Sequence, residues 1–195
     1  LLLLDEPLAA LDARTRLQVR AQLRRRLSEF PGATLLVTHD PLDAMVLADR
    51  LVVIEAGRIT QEGRPTDVAK TPRTDYVARL VGLNLYRGHA DGSSVRLDGG
   101  GQLTAERPMT GEVFVAFQPA SVALYRSQPD GSPRNCWQVT VETVERHGDL
   151  VRVRLDGVPP VLADVTAGAV ADLELEPGVR VWAAVKATET RVYPA

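Results

Sequence analysis

The hydrophobic pattern of the chain changes near residue 83, and this change restricts the possible folds more than any other feature. Before it, continuous apolar runs such as LLLL alternate with stretches of helical spacing, such as the apolar stripe from Val19 to Phe30. After it, short alternating runs such as VTVETV and LVRVRLDG are separated by Gly, Pro and Asp. The sequence therefore predicts an α/β part, residues 1–82, followed by an all-β part, residues 83–195, built from small barrels.

Length and composition exclude several classes of protein. At 195 residues, the chain can hold one large domain or two small ones, and it is long enough to bury a core. The formal net charge of −2 argues against nucleic acid as the main partner, because nucleic-acid-binding domains are usually clearly basic. The single cysteine, Cys136, excludes an intramolecular disulfide and suits a reducing compartment. No apolar run approaches the roughly 18 residues of a membrane-spanning helix, so we expect a cytoplasmic protein.

The α/β part contains recognisable starts and ends of elements. LLLL predicts a strand buried on both faces of a parallel sheet, and ATLLVTH predicts a second buried strand. Asp40 can cap a helix that has Pro41 at its first position. A hairpin is expected to turn at Gly57, and a last helix is expected from Thr71 to near Gly82. The arginines of the first helix indicate a solvated face rather than a nucleic-acid patch.

The all-β part repeats itself. VRLDG occurs at residues 95–99 and again at 153–157, and AFQPASVALY (116–125) aligns with AVKATETRVY (184–193). Two similar lobes in tandem are therefore predicted. The copies differ where Gln118 of the first lobe aligns with Lys186 of the second. This lysine either supplies the charge for a bound anion or merely extends from a strand end into solvent.

Polar side chains follow both predicted strands of the α/β part. Asp5 and Glu6 come directly after the first strand, and His39 ends the second. Because ligands of open α/β sheets bind beyond the carboxyl ends of the strands, we expect these three side chains to lie together. A carboxylate for Mg²⁺, a second carboxylate to orient a water and an imidazole beside a phosphate would suit phosphoryl transfer. Taken alone, the two acids could equally be a solvated strand end.

Taken together, these segments resemble the ATPase subunits of ABC transporters. LLLLDEP resembles the Walker B segment, LAALD the D-loop and VTHD the H-loop, and the resemblance covers essentially all of residues 1–82. It implies that Asp5 binds Mg²⁺, that Glu6 is the catalytic base and that His39 contacts the γ-phosphate of ATP. It also implies that Asp12 communicates across a nucleotide-sandwich homodimer. Ala9 departs from the family, in which many members have serine at this position.

Other family motifs do not occur in the chain. It contains no GxxxxGK[ST] phosphate loop, no glutamine loop and no LSGGQ-type signature. The backbone cradle and the lysine that hold the β- and γ-phosphates are therefore missing. We accordingly expect the chain to be the C-terminal part of a P-loop ABC ATPase, and to neither bind ATP tightly nor hydrolyse it alone.

The all-β part resembles the OB-like molybdate-binding lobes, of the Mop or TOBE type, that follow the ATPase domain in molybdate importers. SPRN, RVRLDG and AAVKATE carry the resemblance. In that family the Ser-x-Arg-Asn and Lys-Ala-Thr/Ser segments hold a tetrahedral oxyanion. Carried over to this sequence, the expected oxyanion-binding residues are Ser132, Arg134, Asn135, Lys186, Ala187 and Thr188. The glycine that the family places soon after the Asn is not evident in NCWQVTV.

The two resemblances together imply the ATP-hydrolysing subunit of an ABC importer for molybdate, with a regulatory β domain. Its cofactors would be ATP and Mg²⁺, and its partners a second ATPase subunit, a membrane permease and, indirectly, an extracytoplasmic oxyanion-binding protein. It would lie on the inner face of the cell membrane. Two alternatives remain open. The chain could be a non-enzymatic oxyanion-binding protein that uses only its β part, or it could come from a sulfate, iron or sugar importer whose lobes are structural.

Overall fold

A computed structural model describes residues 1–195 and separates them into two compact units, Leu1–Val81 and Gly82–Ala195. This division lies one residue from the change of hydrophobic pattern at residues 82 and 83. None of the helices is long and apolar enough to cross a membrane.

The first unit combines two small sheets with four helices. β1 and β2 are parallel and pair Leu2 with Thr34 and Asp5 with Val37. β3 and β4 form an antiparallel hairpin. In chain order the elements are β1 (Leu2–Asp5), α1 (Ala13–Glu29), β2 (Thr34–Val37), α2 (Pro41–Leu47), β3 (Leu51–Glu55), β4 (Arg58–Gly63), α3 (Pro65–Lys70) and α4 (Asp75–Leu80).

Three helices of the first unit, α1, α2 and α4, begin where a side chain accepts hydrogen bonds from their free N–H groups. The carboxylate of Asp12 accepts from the backbone N–H groups of Arg14 and Thr15, each at 3.1 Å. Asp40 caps α2 by accepting from the next two N–H groups after Pro41, at 2.8 and 3.1 Å. The predicted start of α2 is therefore confirmed, with Pro41 at the first turn, where its missing N–H costs nothing.

Two expectations for the first unit are wrong. The helix expected from Thr71 to Gly82 begins only at Asp75, and α3 precedes it. Pro72 disfavours helical geometry at the residue before it, and Thr71 indeed has φ −135° and ψ 65°. The first strand is not buried on both faces, because Leu3 is 65% exposed on a sheet of only two strands. Leu35 and Val37 of β2 are also more than half exposed.

The second unit is built almost entirely of strands. Short 3₁₀ turns, Pro119–Ser121 and Ala187–Glu189, occupy equivalent places in its two repeats. In chain order the elements are β5 (Asn84–Leu97), β6 (Gln102–Phe117), β7 (Ala123–Tyr125), β8 (Asn135–His147), β9 (Leu150–Gly157), β10 (Val161–Val165), α5 (Ala167–Leu173), β11 (Arg180–Val185) and β12 (Arg191–Pro194).

The two lobes of the second unit exchange their last strands. We call residues 84–125 the first lobe and residues 135–194 the second lobe. β7, the last strand of the first lobe, pairs with β11 in a sheet of order β10-β9-β8-β11-β7. β12, the last strand of the second lobe, pairs with β6 in a sheet of order β12-β6-β5. Apolar side chains from both lobes, including Leu103 and Leu155, form one continuous core. The expected tandem β lobes are therefore present, but they share strands and a core.

Candidate functional site

The carboxyl ends of β1 and β2 bring Glu6 and His39 into direct contact. One carboxylate oxygen of Glu6, Oε1, accepts a hydrogen bond from the backbone N–H of His39 at 2.9 Å and lies 2.8 Å from Nδ1 of its ring. Glu6 has a left-handed backbone, φ 46°, which turns the chain away directly after the strand. Asp5 is exposed at the same edge, opposite Val37. The three residues expected from the strand-end pattern therefore lie at one edge of the sheet.

Asp12 does not share this edge contact, because its carboxylate caps α1. The hydrogen bonds from Thr15 and Arg14 lower the pKa of this exposed carboxyl group. Asp12 therefore defines where the loop after β1 ends and α1 begins. Its expected role in communication across a homodimer stays a prediction.

Two arginines of α1 connect this helix to the segment that follows β2. Arg16 donates one hydrogen bond to the backbone oxygen of Leu11 and another to the carboxylate of Asp40, each at 3.1 Å. Arg20 is buried, forms an ion pair with buried Asp43 and lies 3.7 Å from Asp40. The expectation that the arginines of this helix form a solvated face is therefore wrong for Arg20.

These contacts keep the carboxyl group of Asp40, the residue after His39, in its charged form. Partial burial raises the pKa of Asp40, but the backbone hydrogen bonds of Asp43 and Leu42 and the charges of Arg20 and Arg16 outweigh it. The pKa of Asp40 is therefore lower than usual, and the residue stays ionised beside the histidine. Sequence reasoning missed Arg16 and Arg20, although their spacing of four residues places them on one helix face.

A second candidate site lies at one end of the β8–β11 pair. Asn135 is paired with Val185 in this register, so Arg134 and Lys186, the adjacent residues, emerge at the same end. Both side chains are exposed, and neither forms an ion pair. Ser132 lies in the loop before β8, and Ala187 and Thr188 lie in the turn after β11. The structure thus brings the two predicted segments together.

The side chain of Asn135 is already engaged. It is 3% exposed, its Oδ1 accepts from the N–H of Thr104 at 2.6 Å, and its Nδ2 donates to the oxygen of Thr104 at 3.1 Å. The hydroxyl of Thr190 also reaches this oxygen, at 3.5 Å, and donates to Ala187 at 2.7 Å. Thr104 belongs to the first lobe and was missed by sequence reasoning. No local pattern of the sequence marks it, because the contact joins residues of different lobes.

This arrangement suits a small oxyanion. Arg134 supplies a planar set of N–H donors and Lys186 a mobile ammonium, while Ser132 and Thr188 add hydroxyl donors. Hydrogen bonds between charged donors and an anion are shorter and stronger than neutral ones. The site therefore has the residue types that a tetrahedral dianion requires.

A metal ion would need ligands from outside the chain. The structure contains no group of three or more His, Cys, Asp and Glu side chains that could enclose one. Mg²⁺ is usually held by one or two carboxylates together with phosphate oxygens and waters, rather than by a cage of protein ligands. The exposed carboxylate of Asp5 fits this mode of binding.

The chain matches one family model and several proteins of known name. The TOBE domain model matches residues 131–192, which cover the second lobe. The chain is 39% identical over its whole length to the molybdenum import ATP-binding protein ModC of Mycobacterium tuberculosis, of which it covers 55%. It is 32% identical to the molybdate/tungstate import ATP-binding protein WtpC of Pyrococcus horikoshii, again over the whole chain and 56% of the relative. The chain thus spans about half the length of the curated relatives it matches.

A relative with another substrate and a solved structure complete the comparison. The sulfate/thiosulfate import ATP-binding protein CysA 2 of Chromobacterium violaceum is 35% identical over the whole chain and 54% of the relative. The solved structure of the cytoplasmic molybdate-binding protein ModG, with molybdate bound, matches 57% of this chain and 96% of its own with a TM-score of 0.51 and 25% identity. This likeness supports an OB-like fold for the β-rich part. By its relatives and its TOBE domain, the chain belongs to the family of ABC importer ATP-binding subunits.

Proposed function

We propose that the chain is part of the ATP-hydrolysing subunit of an ABC importer that transports molybdate, and that its second unit binds this oxyanion inside the cell. The observation that carries the ATPase assignment is the contact between Glu6 and His39 at the carboxyl edge of β1 and β2. These residues come from segments that resemble the Walker B and H-loop motifs, and their order along the chain is that of the family.

In this proposal each polar residue of the sheet edge has one task. Asp5 would hold Mg²⁺, and the ion would neutralise charge on the phosphate oxygens of ATP. Glu6 accepts a proton from the attacking water, and its second oxygen, Oε2, is the one that His39 leaves free. His39 donates to the γ-phosphate from its ring. Arg16 and Asp40 hold the segment around His39 against the start of α1.

The complete subunit would act with several partners. It would form a homodimer that encloses ATP between its subunits and would drive membrane permease subunits from the inner face of the cell membrane. An extracytoplasmic binding protein would deliver the oxyanion to the permease. The apolar side chains that β1 and β2 expose, Leu3, Leu35 and Val37, support a larger ATPase domain, because parallel sheets are usually covered on both faces.

The enzymatic part of the proposal is tested with the complete subunit, which would include the phosphate loop. We expect Glu6→Gln to lower steady-state ATP turnover by about 10²–10⁴-fold, the usual contribution of a general base. Glu29→Gln, a change to an exposed glutamate of α1, is the matched control and should leave turnover unchanged. The 195-residue chain alone should show no turnover above background. Unchanged turnover in Glu6→Gln would exclude Glu6 as the base.

The substrate is proposed from the second unit. Relatives named for molybdenum and molybdate/tungstate import, and a likeness to a molybdate-binding protein, favour molybdate. The cationic pair Arg134 and Lys186 supports an anion of this kind. Bound molybdate would bias the ATPase only if its affinity differs between two states of the dimer.

A sulfate importer is the second candidate function, because the sulfate/thiosulfate relative matches the whole chain. Calorimetric titration of the 195-residue chain with molybdate, followed by sulfate as competitor, separates the two. We expect molybdate to bind, sulfate to compete weakly, and Lys186→Ala to abolish binding. Arg180→Ala, which removes a positive charge from the opposite end of β11, should have no effect. Tighter binding of sulfate than of molybdate would favour the second candidate. If a folded chain binds neither anion, the lobes have only a structural role.

A further inference from the structure

The second unit contains two copies of one backbone frame. In the second lobe Asn135 pairs with Val185, and the turn Ala187–Glu189 follows. In the first lobe Asn84 pairs with Phe117, and the turn Pro119–Ser121 follows. We call these the second-lobe frame and the first-lobe frame. Each begins a long strand with a buried asparagine opposite the last residue of the neighbouring strand.

The two asparagines make the same contacts with the opposite lobe. Asn84 accepts from the N–H of Leu162 at 2.8 Å and donates to its oxygen at 2.9 Å. Asn135 forms the matching pair of hydrogen bonds with Thr104. The residues Ser121 and Glu189, which align in the repeat, contact each other through a hydrogen bond of 3.1 Å. The contacts that each frame makes with the opposite lobe are therefore reciprocal.

The groups that could hold an anion differ between the frames. Each donor of the second-lobe frame has a counterpart in the first-lobe frame that lacks its charge or its N–H or O–H group. The aligned pairs are Arg134 and Leu83, Lys186 and Gln118, Ala187 and Pro119, and Thr188 and Ala120. The proline removes a backbone donor as well, because it has no N–H.

From this contrast we infer that each chain binds one oxyanion, in the second-lobe frame, and that the first-lobe frame keeps the backbone of a binding site without its ligand groups. This inference rests on the proposed function and adds the number and place of the bound anions. A dianion that leaves water loses strong hydration and needs charged donors in return. The second-lobe frame offers two cations, and the first-lobe frame offers none.

Binding stoichiometry tests the inference on the 195-residue chain. Calorimetry or equilibrium dialysis with sodium molybdate should give one ion per chain. Lys186→Gln copies the first-lobe residue into the second-lobe frame and should weaken binding by about tenfold to a hundredfold, the usual worth of a hydrogen bond to a charged group. Arg180→Gln removes the same charge at the other end of β11 and should leave affinity unchanged. Unchanged affinity in Lys186→Gln would contradict the assignment.

A graft tests whether the first-lobe frame is otherwise intact. The quadruple variant Leu83→Arg, Gln118→Lys, Pro119→Ala and Ala120→Thr installs the second-lobe groups in the first lobe. It should bind two molybdate ions per chain. Adding Lys186→Gln to this variant should return the number of tightly bound ions to one. A folded graft that still binds one ion would show that the first-lobe frame cannot form a site.

The outcomes separate this inference from the proposed function. Two ions bound by the unaltered chain would contradict the inference and leave molybdate binding established. No binding by the unaltered, folded chain would contradict both. One ion bound by the unaltered chain, weaker binding in Lys186→Gln and two ions bound by the graft would support both.

Discussion

At the scale of single residues, the buried side chain of Asn135 joins the two lobes of the second unit through its paired hydrogen bonds with Thr104. The family resemblance of its segment implied a position near Lys186, and the β8–β11 register pairs Asn135 with Val185, the residue before Lys186. Its hydrogen bonds with Thr104, thirty-one residues away, depend on how the two lobes meet, which no local pattern encodes. Glu6 and His39 were easier to predict, because parallel strands always end at a common edge. Residue types at strand ends are therefore readable from sequence, whereas contacts between lobes are not.

Arg152 and Asp164 form an ion pair with two hydrogen bonds in the second unit. The contribution of this pair to stability has a predictable pH dependence. Two parallel hydrogen bonds of 2.8 Å join them across β9 and β10. The hydrogen bonds from Arg152 lower the pKa of Asp164 below its ordinary value of 3.8, although partial burial opposes the shift. Because the folded pKa is below the unfolded one, the stabilisation is complete above pH 3.8 and is lost as the pH falls through the folded pKa.

We expect Asp164→Asn to lower the free energy of unfolding at pH 7 by about 1–2 kcal/mol, because the half-buried Arg152 loses its charged partner. The difference from the unaltered protein should shrink as the pH falls below 3.8. Urea unfolding followed by tryptophan fluorescence measures it, since Trp137 and Trp182 both lie in the second unit. Asp156→Asn, a change to an exposed acid of the same strand pair, is the control. A constant difference at all pH values would contradict the assignment.

Helix ends illustrate what the sequence shows at the scale of elements. The start of α2 was predictable, because Asp40 and Pro41 act on adjacent backbone groups. The helix α3 was not predicted, and the start of α4 was placed too early, because each helix has only six residues and shows less than two turns of apolar spacing. The hydroxyl of Thr74 accepts from the N–H of Val77 at 3.2 Å and sets the start of α4. The start of α4 thus depends on its cap, whereas α3 begins at Pro65 without a capping side chain.

The contact between α1 and α2 yields a prediction at the same scale. Arg20→Met would leave Asp43, which is 4% exposed, without its partner. Loss of one member of a buried ion pair typically costs about 3–5 kcal/mol. We expect the helical circular-dichroism signal of the first unit to be lost at lower urea concentration, while tryptophan fluorescence of the second unit is unchanged. Arg24→Met, on the exposed face of α1, is the control. Equal stability of Arg20→Met and the unaltered protein would mean that this pair does not hold the helices together.

At the scale of the whole molecule, the strand exchange is the feature that the sequence predicted least. The repeat indicated two similar lobes, and two are present. Nothing in the alternation of β7 or β12 distinguishes pairing within a lobe from pairing with the other lobe, because the same side chains are buried in both cases. Tyr86 of the first lobe also donates to the oxygen of Pro160 in the second, at 2.6 Å. These contacts imply that neither lobe can unfold while the other stays intact.

A core substitution in one lobe should therefore destabilise the other lobe as well. Leu103 of β6 is 1% exposed, and Leu103→Ala should lower the free energy of unfolding by about 2–5 kcal/mol. Both tryptophans lie in the second lobe, so their fluorescence reports whether that lobe is destabilised as well. We expect a single, shifted transition in urea. Leu150→Ala, at the tip of the β8–β9 hairpin where the side chain is 36% exposed, is the control and should shift it little. An unshifted tryptophan transition in Leu103→Ala would mean that the lobes unfold independently despite sharing strands.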